Sequence, residues 1–124
     1  MVHVISNTKF ARKCEDAGVD AIVAEGFEAG GHNGIEETTT LTLIPMVCQA
    51  VSIPVIGIGG ITNTQDSIEF MLAGASAIQV GTGNFLNPKT TTEIINGLGA
   101  YLQRKNIQTT RDIIGRMNGP EIQS

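Results

Sequence analysis

Two spacings of apolar residues alternate along this chain, and together they predict its secondary structure. Short continuous apolar runs are typical of strands that are covered on both faces. Between these runs, apolar residues recur every three or four positions, the spacing of one face of a helix. The predicted strands are Val2–Ile5, Asp20–Ala24, Ile53–Ile58 and Ser76–Val80.

The helical segments carry start and stop signals. Pro45 is tolerated only in a first helical turn, so the second helix is predicted to begin near Leu43. Thr64 is a predicted N-terminal cap, and Asn87-Pro88 predicts a cap followed by a proline at the first helical position. The predicted helices are Thr8–Ala17, one from near Leu43 to Val51 within a helical pattern over 40–51, Thr64–Gly74, a segment after Pro88 through Leu102, and a short one around Arg111–Met117.

The resulting order, four successive β-α units, defines the fold class as α/β. Such alternation requires parallel strands joined by right-handed crossovers. A complete (β/α)8 TIM barrel needs about 250 residues, and this chain has 124. We therefore predict half of a barrel, one domain over residues 1–117 with a flexible tail at 118–124. The first strand and Ser76–Val80 would then be open sheet edges.

Composition narrows the classes of partner. The chain is 41% hydrophobic and 16% charged, as expected of a globular protein without a membrane partner. A net charge of -4, one Tyr and no Trp argue against nucleic acid, which attracts basic surfaces and stacking aromatics. No apolar run is long enough to span a bilayer, and residues 1–10 lack a signal-peptide core, so a cytoplasmic location is expected. Cys14 and Cys48 lack metal-ligand spacing and are interpreted as small buried hydrophobes, with no metal site expected.

Glycine-rich segments follow the last two strands. Gly59-Gly60 and Gly81-Thr82 each come directly after a predicted strand. The carboxyl ends of parallel strands share one edge, and backbone N–H groups with the Thr82 hydroxyl can hold a phosphate there. The alternative is that both pairs are tight turns without a ligand.

A histidine follows the second strand in the segment Glu25 to Gly34. His32 comes after Gly30-Gly31, glycines that permit close approach to a ligand. Glu25 or Glu28 could orient the imidazole and tune it for proton transfer. The alternative is a solvated side chain in an ordinary loop.

Residues 20–51, with the motif Glu28-Ala29-Gly30-Gly31-His32, resemble the nitronate monooxygenases, formerly called 2-nitropropane dioxygenases. They resemble equally the flavin-dependent enoyl-acyl-carrier-protein reductases. Both families are FMN-dependent (β/α)8 oxidoreductases. The resemblance implies that His32 is the catalytic base, that Glu28, Gly30 and Gly31 border the cofactor, and that Gly59, Gly60, Gly81 and Thr82 hold the FMN phosphate.

Residues 53–104 are more similar to the dihydroorotate dehydrogenases, another family of FMN barrels that binds the phosphate in the same place. The expected function is that of an FMN-dependent flavoprotein oxidising nitronates with O2. The alternatives are an NAD(P)H-dependent enoyl reductase, a dihydroorotate dehydrogenase, and a half-barrel that binds FMN or phosphate, or only dimerises, without turnover. The expected partner is a second copy or a missing N-terminal half-barrel.

Overall fold

A computed structural model describes residues 1–26 and 39–116 of the chain. The predicted β-α alternation is present throughout these ranges. The elements are β1 Val2–Ile5, α1 Thr8–Asp16, β2 Ala21–Glu25, α2 Thr40–Ala50, β3 Val55–Ile58, α3 Thr64–Ala73, β4 Ala77–Gln79, α4 Thr82–Leu86, α5 Thr90–Arg104 and a 3-10 turn Thr110–Asp112.

The four strands form one parallel sheet in the order β1-β2-β3-β4, so spatial order follows chain order. Each crossover contains a helix, as parallel neighbours require. The predicted α/β class and its four units are therefore confirmed. β1 and β4 are the two edges of the sheet.

The helices cover one face of this sheet and form the core with it. Ile22 and Val55 point to that face and are buried together with Leu43, Ile44 and Val47 from α2. The helices also contact each other in succession, α1 with α2, α2 with α3, and α3 with α5. Each unit thus packs against the next along the sheet.

The other face of the sheet carries apolar side chains from all four strands. Val4, Val23, Ile56 and Ala77 occupy neighbouring positions in register across β1 to β4. Val4 is 52% exposed, whereas Val23 is buried. An all-parallel sheet normally has both faces covered, so this face is one on which further protein can pack.

The start of α2 differs from the prediction. The helix begins at Thr40, three residues before Leu43, and Pro45 lies inside it. Thr39 caps it by accepting a hydrogen bond from the Thr42 N–H. Leu43, Ile44 and Val47 from this helix are buried, and that packing offsets the missing Pro45 N–H.

Two further helix starts differ. Asn63, not Thr64, caps α3, because its side-chain oxygen accepts from the Asp66 N–H at 2.8 Å. The helix predicted at Asn87-Pro88 begins at Thr90, and those two residues form the turn before it. The short helix α4 was not predicted.

The part of the chain that the structure describes contains no helix long and apolar enough to cross a membrane. The predicted tail, 118–124, lies outside the described residues, as do Glu28, Gly30, Gly31 and His32.

Candidate functional site

The carboxyl ends of β2, β3 and β4 share one edge of the sheet, because the strands are parallel and adjacent. The glycine-bearing loops predicted to bind a ligand leave the sheet at this edge. In βα folds ligands bind at this edge of the sheet. It is therefore the candidate site.

One buried side chain joins two of these strand ends. Thr40, the first residue of α2, is fully buried. Its Oγ1 accepts a hydrogen bond from the Gly26 N–H and donates one to the Ile58 carbonyl, both at 3.0 Å. Gly26, just after β2, and the end of β3 are therefore fixed to each other. The sequence contains a signal for the helix start, since threonines immediately before an apolar helical segment are typical there. It contains no signal for the two hydrogen-bond partners of Thr40.

The loop after β3 depends on its two glycines. Gly59 and Gly60 have φ angles of 110° and 76°, a region that glycine adopts without steric cost. Gly60 is exposed at the edge of the sheet, and Gly59 is buried. The chain turns at these two glycines, and because they lack side chains, their backbone is accessible from the carboxyl edge of the sheet.

The same loop is anchored to α3. The N–H and hydroxyl of Thr62 both donate to Asp66 Oδ2, at 2.9 and 3.0 Å. Asp66 in turn donates its own N–H to the Asn63 side chain. The charge of this carboxylate is thus engaged within the loop, and the loop is fixed before any ligand arrives.

The loop after β4 packs directly on the loop after β3. A Cβ added to Gly83 would lie 2.9 Å from the carbonyl oxygen of Ile61, so only glycine allows this approach. The Gly83 carbonyl accepts from the Thr90 hydroxyl at 3.0 Å, which ties the loop to α5. The two predicted phosphate loops are therefore brought together.

Where the two loops meet, some backbone N–H groups have no backbone acceptor among the described residues. Helix α4 begins at Thr82 and has no side-chain cap, whereas α1, α2 and α3 are capped by Asn7, Thr39 and Asn63. Within residues 1–26 and 39–116, the N–H groups of Gly60 and Gly83 donate no hydrogen bond to the backbone. A Cβ at Gly81 would meet nothing within 4 Å. N–H groups in glycine-rich turns at the ends of strands suit an anion such as a phosphate.

The structure describes some of the other candidate site residues and not others. The side chain of Thr82 lies outside what the structure describes, and so do Glu28, Gly30, Gly31 and His32. Glu25 ends β2 with a half-buried side chain. His3 is exposed on β1, one of the sheet edges.

The two cysteines are free thiols, each half-buried. Cys48 contacts the Gly74 carbonyl at 3.4 Å, and burial raises the pKa of its thiol. No cluster of three or more His, Cys, Asp or Glu side chains suited to a metal ion occurs among the described residues.

Comparison with known proteins places the chain in a family. A family model of nitronate monooxygenase matches residues 1–111. The catalytic subunit of dihydroorotate dehydrogenase B (NAD(+)) from Bacteroides thetaiotaomicron is 37% identical over 133 aligned residues, covering 93% of this chain and 44% of that protein.

Several solved enzyme structures superimpose on this chain. FabK from Thermotoga maritima superimposes with a TM-score of 0.63 at 43% identity, over 66% of this chain and 26% of that one. Nitroalkane oxidase from Streptomyces ansochromogenes gives 0.60 at 36% identity, over 65% and 26%. Dihydroorotate dehydrogenase from Eimeria tenella gives 0.74 over 96% and 38%, and at 17% identity this likeness concerns the fold alone.

These proteins are TIM-barrel enzymes from FMN-dependent families. The predicted half-barrel fold and the predicted family resemblance are therefore confirmed, and FMN is the cofactor of the families concerned. The chain spans less than half the length of each relative named above.

Proposed function

The chain belongs to the nitronate monooxygenase family, and from that membership we propose that it supplies the phosphate-binding half of an FMN-dependent oxidoreductase. The observation that carries the proposal is the contact between the loops after β3 and β4. Two glycine-rich strand ends pack on each other there, and the N–H groups of Gly60 and Gly83 donate to no backbone group of the described residues.

The phosphate of FMN would be held by Gly59, Gly60, Gly81 and Thr82. These residues belong to the two loops that the contact between Gly83 and Ile61 fixes together. Backbone N–H groups suit a phosphate because they donate without the cost of ordering a long side chain. Glu28, Gly30 and Gly31 would border the cofactor from the segment after β2.

Bound FMN supplies the electron acceptor for the reaction. The chain's own contribution is the proton. We propose that the imidazole of His32 takes the α-proton of a nitroalkane, leaving a nitronate positioned for oxidation with O2. A histidine suits this step because its ordinary pKa lies close to neutral pH.

Flavin binding is the first test. The purified chain is incubated with FMN, passed over a gel-filtration column and examined by visible absorption. Gly60→Ala should lower the retained flavin at least about tenfold, because a Cβ at a positive φ forces the loop to move. Gly18→Ala is the matched control, since Gly18 has a similar φ of 88°, with open space around it, between α1 and β2.

Equal flavin retention by the two glycine variants would contradict the assignment of the phosphate site. A chain that retains no flavin in any form would contradict binding by this half alone.

Proton abstraction is tested separately with His32→Ala. This variant should keep its flavin and lose the bleaching of the flavin band that a nitroalkane causes without oxygen. The preformed nitronate should still bleach the band, because its α-proton is already gone. Loss of flavin together with the imidazole would mean that His32 binds the cofactor and is not the base.

Dihydroorotate oxidation is the second candidate. It is favoured by the identity of 37% with a dihydroorotate dehydrogenase subunit over 93% of this chain. Anaerobic bleaching by dihydroorotate but not by a nitroalkane would replace the first candidate with this one. Retained flavin that is bleached by neither compound nor by NAD(P)H would identify a binding half-barrel without turnover.

A further inference from the structure

The loop after β3 has two anchored ends and a pair of glycines between them. At its start, the Ile58 carbonyl accepts a hydrogen bond from Thr40. At its end, Thr62 donates both its N–H and its hydroxyl to one oxygen of Asp66. Glycine has the widest conformational freedom of any residue, so the two glycines alone do not determine where the N–H groups of the loop point. The two anchored ends determine it.

Asp66 is a firm anchor because the first turn of α3 is itself held in place. The Asp66 N–H donates to the Asn63 side chain at 2.8 Å. Ser67 is fully buried, and its N–H and hydroxyl donate to the Asn63 carbonyl at 3.3 and 3.1 Å. Farther along the helix, Phe70 belongs to the hydrophobic core. The carboxylate on this turn therefore has a fixed position to which the loop is bonded.

The end of this loop also contacts the loop after β4. Ile61, the residue before Thr62, is buried, and its carbonyl lies against Gly83. The loop after β4 has an equivalent anchor on α5, since the hydroxyl of the buried Thr90 donates to the Gly83 carbonyl. In each loop, a side chain from the first turn of the following helix thus bonds the residues that come after the strand.

Asp66 places a negative charge on the loop that is proposed to bind an anion. A carboxylate repels a phosphate, and Asp66 also takes the two donors of Thr62 that could otherwise bind one. Electrostatics alone therefore predicts that a phosphate binds better without Asp66. Positioning predicts the opposite, because N–H groups held in place beforehand bind an anion more tightly than groups that must first be ordered.

We propose that Asp66 is a positioning residue that gives the site its affinity for a phosphate, by holding Thr62 and, through it, the backbone of Gly59 and Gly60. In this arrangement Asp66 touches no ligand, and Thr62 is not a phosphate ligand, because both of its donors are used. The inference rests on the proposed function, since it concerns the FMN phosphate. Loss of Asp66 should weaken the binding of ligands that carry a phosphate and leave other ligands unaffected.

FMN and riboflavin isolate the contribution of the phosphate, because they share the flavin ring and differ only in that group. Binding of each to the full chain is measured by titration of the flavin fluorescence. The wild type should bind FMN at least about tenfold more tightly than riboflavin, since hydrogen bonds to a charged group contribute on that scale. Asp66→Ala should lower the affinity for FMN at least about tenfold and leave the affinity for riboflavin unchanged.

Two further variants distinguish positioning from charge and from stability. Glu69→Ala removes a carboxylate from the same helix, one that accepts from Gln65 and not from the loop, so it should keep the wild-type ratio of the two affinities. Asp66→Asn keeps an oxygen for the Thr62 donors without the charge, and its ratio should lie between those of the wild type and Asp66→Ala. This variant decides the question if Asp66→Ala does not fold. A merely structural role would lower both affinities together.

The outcomes separate this inference from the proposed function. A wild type that binds FMN no more tightly than riboflavin would contradict the phosphate site and the role of Asp66 with it. A wild-type preference for FMN that persists in both Asp66 variants would overturn the role of Asp66 alone. An increased preference in these variants would also overturn it, and would identify Thr62 as a phosphate ligand for which Asp66 competes.

The ligand-free chain provides a second readout, by nuclear magnetic resonance of the ¹⁵N-labelled protein. In Asp66→Ala the amide resonances of Gly60 and Gly83 should both shift, because the loop that loses its anchor is the one against which Gly83 packs. In Glu69→Ala they should stay in place. Unchanged resonances in Asp66→Ala would show that the loops keep their positions without the carboxylate, and would overturn the proposal.

Discussion

At the scale of single residues, Thr40 connects the end of β2 to the end of β3. Its hydroxyl is fully buried and bonded on both sides, to the Gly26 N–H and the Ile58 carbonyl. A buried polar group that loses its partner costs about 1–3 kcal/mol. The spacing between Gly26, just after β2, and Ile58, at the end of β3, therefore depends on one oxygen atom.

Replacing Thr40 tests this. Thr40→Val keeps the shape and removes the hydroxyl, so the free energy of unfolding should fall by about 2–4 kcal/mol because two backbone groups lose their partner. Thr40→Ser keeps the hydroxyl and should lose about 1 kcal/mol, for one methyl group. Urea denaturation of the two variants measures the difference. Equal stability would show that the hydroxyl has no structural role.

A second prediction concerns Glu15 and pH. The hydroxyl and N–H of Ser52 donate to Glu15 Oε1 at 2.6 and 2.7 Å, and these bonds hold the pKa of the carboxyl below its ordinary value of 4.5. A lowered pKa in the folded state means that the ionised group stabilises the fold above the ordinary pKa. That contribution is lost as the pH falls through the folded-state pKa.

Glu15→Gln should therefore be less stable than the wild type at neutral pH, and the difference should shrink on acidification. Urea denaturation at a series of pH values measures it. Asp16→Asn is the control, since Asp16 is exposed on the same helix and its carboxylate makes no hydrogen bond among the described residues. A difference that stays constant into acid would show that the ionised form is not the stabilising one.

At the scale of elements, α2 shows local preference overruled by packing. Proline in a helix interior removes an N–H and crowds the preceding turn, and Pro45 nevertheless lies in the sixth position of this helix. Three of its neighbours, Leu43, Ile44 and Val47, are buried against the sheet. Their burial keeps residues 40–42 helical.

Pro45→Ala should consequently stabilise the protein. Restoring the N–H opposite the Leu41 carbonyl should raise the free energy of unfolding by about 1–2 kcal/mol, less than the full helix penalty of proline because proline also restricts the unfolded chain. Chemical denaturation measures the gain, with Met46→Ala, at the adjacent exposed position, as the reference. A loss of stability would mean that the ring of Pro45 is part of the packing.

Sequence patterns predicted the elements better than they predicted the contacts between them. The strands and the glycines after β3 and β4 could be predicted because apolar runs and turn residues are local signals. Helix α4 could not, since Thr82–Leu86 is too short to show a helical period. The role of Thr40 and the closeness of Gly83 to Ile61 depend on elements that meet only in the folded chain.

At the scale of the whole molecule, the fold is a barrel half, and its candidate site lies at one edge of the sheet. The proposed phosphate loops belong to the last two units, whereas His32 follows the second strand. The proposed binding and proton-transfer functions are thus carried by different units, which Thr40 joins through Gly26 and Ile58.

The agreement between strand order and chain order has a consequence for native-state hydrogen exchange. β1 and β4 have one neighbour each, and β2 and β3 have two. In the single chain, amide protection should therefore decrease from the middle of the sheet outward, because the end units can open without disturbing the rest. A ligand held by the loops after β3 and β4 should slow exchange at the β4 end and leave β1 unchanged, so the fold has a stable centre and two ends that respond independently.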